Sequence, residues 1–231
     1  MYTNGIFFLR FHYELALYYS SRTPVFHAAK LTLELAAYGI VLSLAVGLAA
    51  AVCMAYRLPV LDRLSRGYVE LSRNTPLLIQ LFFLYYGLPK IGIKIDGFTC
   101  GVIALVFLGG GYMAEALRAG LLAVPKGQTE AAKAIGLGNV QIFRYVVLPQ
   151  AWAVSLPAIA ANVLFLIKET SVIGAVSVAE LMFVTKDIIG MDYKTNEALF
   201  LLFVSYLIIL LPVSVWARYA ERKVRRAKYG A

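Results

Sequence analysis

Metal-ligating and ionisable side chains are scarce in this sequence. The 231 residues hold two cysteines and two histidines. Cys53 and Cys100 have no CxxC spacing, and His12 and His27 stand alone, so neither a metal centre nor a redox pair is indicated. The cysteines read as small apolar residues. Charged residues make up only 15% of the chain. Its few carboxylates, Glu34, Glu115 and Glu169 among them, are too scattered to form an acid–base set, and no catalytic residue is assigned. No GxxxxGK[ST] phosphate loop occurs, so the chain is not expected to bind ATP or another cofactor itself. Internal repeats are absent as well. Met1 to Gly5 lacks the basic residues that open a secretory signal peptide.

What the chain does have is apolar surface. Hydrophobic residues reach 61%, and the mean hydropathy is +0.74. A soluble domain of this size has no core able to hide so much, so lipid must be the solvent for most of it. Runs long enough to cross a bilayer predict an all-α integral membrane protein with about five crossings. They fall at Leu31 to Tyr56, Leu77 to Leu88, Phe98 to Val124, Trp152 to Ile167 and Ala198 to Trp216. The second is short. It is expected to gain length backwards from Val69 through a kink at Pro76. Residues 1–26, with Arg10, Glu14, Tyr18 and Tyr19, suit a helix lying in the external interface. Residues 27–218 form the membrane domain, and residues 219–231 form a basic tail.

The net charge of +9 then speaks to orientation. Arg57, Arg63, Arg66 and Arg73 follow the first run, while Arg118, Lys126, Lys133 and Arg144 end or follow the third. Arg218, Arg222, Lys223, Arg225, Arg226 and Lys228 follow the fifth. These are the larger share of the 22 basic residues, so their side is cytoplasmic. The N-terminus is expected outside and the tail inside, where it touches anionic lipid rather than nucleic acid.

One polar, helix-prone loop interrupts the apolar pattern on that cytoplasmic side. Thr129 is expected to cap a helix with Glu130 in its first turn, and Ala131, Ala132 and Ala134 extend it. Gly136 and Gly138 turn the chain. Asn139 then caps a second helix carrying Ile142, Phe143, Tyr145 and Val146, and Leu148-Pro149 returns the chain to the membrane. Such a loop is either a bare surface helix or a docking surface for a partner in the water phase.

This loop, 126–149, resembles the EAA loop of ABC-importer permeases: Glu130-Ala131-Ala132, three residues, Gly136, nine residues, Val146, one residue, then Leu148-Pro149. Val146 stands where the family usually has Ile. Three further segments are similar to the polar amino-acid uptake subgroup. They are Ser72 to Gln80 (SRNTPLLIQ), Ala114 to Gln128, and Lys168-Glu169-Thr170-Ser171, where Glu replaces the usual Asp. The resemblance implies a pore made with a second permease subunit, identical or related. It also implies two ABC ATPase subunits that carry ATP-Mg and receive the coupling residues Glu130, Ala131, Ala132, Gly136, Leu148 and Pro149. An external binding protein would deliver the amino acid, and the home would be a bacterial or archaeal cytoplasmic membrane.

Polar residues inside the apolar runs are the candidates for a substrate path. The fourth run spans only ~25 Å at the helical rise, against ~30 Å of hydrocarbon, which leaves Lys168 to Ser171 at depth. Glu169 is expected to hold an α-ammonium, with Thr170 or Ser171 donating to the carboxylate; a Lys168–Glu169 pair or contacts to the mate subunit are the alternative. Asn74 and Gln80 either face the pore or make interhelical hydrogen bonds. Glu115 and Arg118, three apart, either form part of an inner gate or neutralise one another. Gly109-Gly110-Gly111 suggests close helix packing rather than a hinge. Two other functions fit the composition: a carrier driven by an ion gradient, and a membrane scaffold without transport.

Overall fold

The computed structural model describes residues 24–229, and side chains from residue 25 to residue 224. The interfacial reading of residues 1–26 therefore lies almost wholly outside the described residues. Among those described there is no strand. The helices are α1 (Pro24–Ala55), α2 (Leu61–Asn74), α3 (Leu77–Phe82), α4 (Gly97–Leu122), α5 (Lys126–Ala134), α6 (Asn139–Gln141), α7 (Leu148–Glu169), α8 (Leu181–Asp192) and α9 (Thr195–Tyr229). A π-turn (Phe83–Gly87) and a 3-10 turn (Leu88–Ile91) extend α3. A second π-turn (Ile142–Val147) joins α6 to α7, and a 3-10 segment (Thr170–Val176) follows α7. Residues 219–229 prolong α9.

Among the described residues, four helical stretches are long and apolar enough to cross a membrane: Val25–Ala55, Gly97–Leu122, Asn139–Val176 and Thr195–Val224. The remaining expected crossing is the shorter apolar stretch Leu77–Ile91. It does not continue backwards as one kinked helix. Thr75, held extended (φ −112°, ψ 132°) by the clash that a following proline imposes, separates α2 from α3. The expectation of a kink is corrected to a break. Gln80 spans it: its Nε2 donates to Ser72 O, Thr75 O and Thr75 Oγ1 at 2.8–3.1 Å. Thr75 Oγ1 in turn donates to Leu71 O (2.7 Å).

α4 is the axle of the bundle, packed against α1, α2 and α7. Its glycines permit this. A Cβ on Gly109 would meet Ser43 Oγ and Leu166, one on Gly110 would meet Tyr68 Oη, and one on Gly111 would meet Ser72 Oγ. The hydroxyls of α1 and α2 use the space for hydrogen bonds to α4 carbonyls. Ser43 Oγ donates to Leu105 O (3.3 Å), and Tyr68 Oη donates to Phe107 O (2.9 Å). The triplet thus serves close packing, as its composition suggests. Gly120 does the same against α7, where Ser155 Oγ donates to Ala116 O (2.9 Å). A Cβ there would strike Ser155 Oγ and the Ala151 carbonyl. Gly120→Ala should therefore cost about 1–3 kcal/mol through overpacking, seen as a lower melting temperature of the purified protein. Gly127→Ala, where a Cβ meets nothing, is the control and should melt like the wild type.

A second apolar cluster ties α8 to the start of α1 and to α9. Its polar pin is Glu180, fully buried, which caps α8 by accepting from Met182 N and Phe183 N (2.8 Å each). Leu181 N donates to Thr32 Oγ1 on α1 (3.3 Å). Glu180 lies outside the four long apolar stretches. Burial pushes its carboxyl up from 4.5 to about 7, against the lowering pull of the two backbone N–H groups and Lys186. A raised acid binds its proton more tightly when folded. Its stabilisation is thus full below pH 4.5 and lost as pH rises through about 7. Melting curves of wild type and Glu180→Gln should accordingly diverge in favour of the Gln variant as pH climbs through that window.

Candidate functional site

Two places hold the candidate functional residues. The first is the loop between α4 and α7. Val124-Pro125 follows α4, and α5 begins at Lys126 with Pro125 in the N-cap place, four residues ahead of the cap expected at Thr129. The C-terminus of α5 closes on Gly136, which has φ +85° and so needs no strain there. Gly136 N donates to Lys133 O (2.9 Å) and Leu137 N to Ala132 O (3.1 Å), the paired bonds of a Schellman stop. Gly138, rather than Asn139, occupies the next N-cap place, and its N–H donates to Gln141 Oε1 (2.9 Å). Pro149 then removes one helical donor. The backbone ahead of it relaxes into the π-turn, and Gln150 Nε2 donates to Val146 O (2.9 Å). Leu148-Pro149 thus lies within a continuous helical path.

This elbow is rooted in the bundle. Ala132, Ile142 and Val147 are buried in the main core, and Phe143 packs edge-on against Tyr56 at the end of α1 (6.1 Å between centroids). Its outer surface mixes charged and apolar side chains. Ile135 is 77% exposed and Val140 78% exposed, with Glu130, Ala131 and Tyr145 also exposed. The helical face predicted to pack or dock is thus split: Ala132 looks inward, and Ala131 looks out.

The second place is a cavity of about 450 Å³ between the α2–α3 break, α4 and α7. Arg73, Asn74, Tyr112, Phe165 and Glu169 line it. Gly111 lets the Arg73 side chain lie on α4, with its Cγ 3.3 Å from where a Cβ would stand. The guanidinium then sits over the Tyr112 ring at 5.2 Å, within cation–π range. Tyr112 is itself braced by Phe165 (5.2 Å), while Asn162 Nδ2 donates to Tyr112 O (3.1 Å). Neither Arg73 nor Glu169 belongs to an ion pair among the described residues. The alternative Lys168–Glu169 pair is not formed.

The other expected site residues are placed differently. Asn74 lines the cavity, with its Nδ2 bonded to Glu70 (2.8 and 3.0 Å). Thr170 is buried and donates to Ile167 O (2.7 Å), while Ser171 donates to Lys168 O (2.8 Å). Both hydroxyl protons close the end of α7 instead of pointing at a ligand. Gln80 braces the break and borders a separate apolar cavity of about 530 Å³. Glu115 and Arg118 form a two-pronged ion pair (3.1 and 3.0 Å) within α4. Arg73 and Tyr112 were not singled out by sequence: Arg73 reads there as one more orienting cation, and Tyr112 as one aromatic among many. The signal available was an arginine directly beside a Thr-Pro break.

Comparison with known proteins supplies the family. Residues 43–226 match the family described as binding-protein-dependent transport system inner membrane component. The chain is 38% identical over 202 residues to a probable amino-acid ABC transporter permease protein, PatM, of Vibrio harveyi, covering 85% of this chain and 89% of that one. It is 33% identical over 199 residues to the glutamine transport system permease protein GlnP of Escherichia coli K12 (85% and 91% covered). A crystal structure of an amino acid ABC transporter with histidines superposes with a TM-score of 0.79 at 31% identity, over 90% of this chain and 97% of that one. An inward-facing MetNI methionine ABC transporter shares the fold, with a TM-score of 0.67 at 22% identity over 84% and 94%. The family match spans most of the sequence, and the chain is therefore a member of the binding-protein-dependent transport system inner membrane components.

Proposed function

We propose that this protein is the membrane subunit of an ABC importer for amino acids and that the Arg73–Glu169 cavity is where substrate pauses. The observation that carries the reading is that Arg73 and Glu169, of opposite charge and in no ion pair among the described residues, line the same cavity. A free amino acid bears one anionic and one cationic group on the same carbon, and Arg73 can pair with the first while Glu169 pairs with the second. Asn74 adds a neutral polar group. Glu115–Arg118, one turn from Tyr112 toward the elbow, is the inner gate in this reading. The chain works with a second permease subunit, with two ATPase subunits that hold ATP-Mg, and with an external binding protein. The N-terminus lies outside, and the C-terminus and elbow lie inside. ATP-driven closure of the ATPases moves the elbow, and its rooting in the core passes the motion to the cavity.

Reconstitution tests this. Uptake of labelled amino acid into vesicles holding the chain and its co-purified ATPase should need ATP and stop with vanadate. Uptake that instead collapses with an ionophore and ignores vanadate would mean an ion-coupled carrier. Failure of any ATPase to co-purify would favour the scaffold.

A further inference from the structure

We infer that the cavity selects amino acids whose side chain is uncharged. This deepens the function proposed above and rests on it. Arg73 and Glu169 are the only charged residues among the described residues lining the cavity, and their formal charges cancel. A zwitterion uses both: α-carboxylate on Arg73, α-ammonium on Glu169. Nothing ionic is then left for the side chain, which meets Leu108, Tyr112, Phe165 and Val172 together with the neutral Asn74 and Thr75. A third charge would have to sit without a counter-charge in a region walled by rings and aliphatic groups, or displace an α-group from its partner. Either way one charge stays unpaired, which is the costly arrangement. Lys168 does not relieve this, because it is exposed and is not on the cavity wall. The Arg73 side chain, though exposed, rests with its guanidinium over Tyr112 and its Cγ along Gly111.

The test is equilibrium binding of labelled L-glutamine, L-leucine, L-arginine and L-glutamate to the purified complex of the full chain with its ATPase subunits, without binding protein. Glutamine and leucine should bind at least about tenfold more tightly than arginine and glutamate. The decisive readout is the ratio of dissociation constants in charge variants, since a ratio is insensitive to the fraction of protein that folds. Arg73→Gln leaves a net negative cavity, so the arginine-to-glutamine preference should move at least about tenfold toward arginine. Glu169→Gln should move the glutamate-to-glutamine preference equally toward glutamate. Wild-type binding of arginine or glutamate as tight as glutamine, or ratios that stay put in both variants, would overturn this inference and leave an amino-acid site standing. No binding of any of the four would overturn the cavity as an amino-acid site, and this inference with it.

Discussion

Ile135→Asp combined with Val140→Asp is expected to abolish ATP-driven uptake while the subunit remains folded. Both side chains are over three-quarters exposed and flank the Gly136 turn, so the substitutions remove almost no internal packing. Surface changes of this kind usually alter stability by less than about 0.5 kcal/mol. Their effect belongs to the partner. An exposed aliphatic pair at the tip of a loop can seat in a partner's groove, where its burial removes apolar surface from water. Two carboxylates there would have to be buried without partners on docking. The combined loss of affinity for the ATPase should be at least about a hundredfold. The measurement is a pull-down of the ATPase on the tagged membrane subunit, with melting temperature as the folding control. Wild-type recovery of ATPase and wild-type uptake would show that the tip does not dock.

The membrane class, the apolar stretches and the elbow were all legible in the sequence, for one physical reason. Each is a property of composition over a window: hydropathy for the spans, Ala, Gly and Pro for the turn. What windows do not carry is the destination of a single polar side chain. Thr170, Ser171 and Gln80 look like pore residues because polar groups at depth need a partner, yet the Thr170 and Ser171 hydroxyls and the Gln80 Nε2 donate to nearby backbone, while Gln80 Oε1 is left without a partner. Arg73 shows the converse. Beside a loop it reads as an orienting charge, and the break at Thr75-Pro76 and the missing Cβ of Gly111 lay it along α4, where it lines the same cavity as Glu169. The break was itself misjudged: proline after an extended threonine separates two helices where a kink was expected.

Glu169→Ala should abolish uptake without disturbing assembly, and Ser171→Ala should not. Glu169 ends α7 with its carboxylate toward the cavity, and no ion pair among the described residues depends on it. Its removal therefore costs the bundle little, whereas a substrate ammonium loses its only anionic partner on the wall. One desolvated charge-assisted contact of this sort is worth about 1.5–3 kcal/mol, so the fall in uptake at limiting substrate should be about 10- to 150-fold. Ser171 is two residues further on, and its hydroxyl proton is already given to Lys168 O. Alanine there removes one side-chain-to-backbone hydrogen bond at the end of α7 and should leave uptake within about threefold of wild type. Measuring both at equal ATPase recovery separates a ligand group from a structural one. Normal uptake by Glu169→Ala would remove the cavity from the pathway, and a loss confined to Ser171→Ala would return the carboxylate site to the hydroxyls after α7.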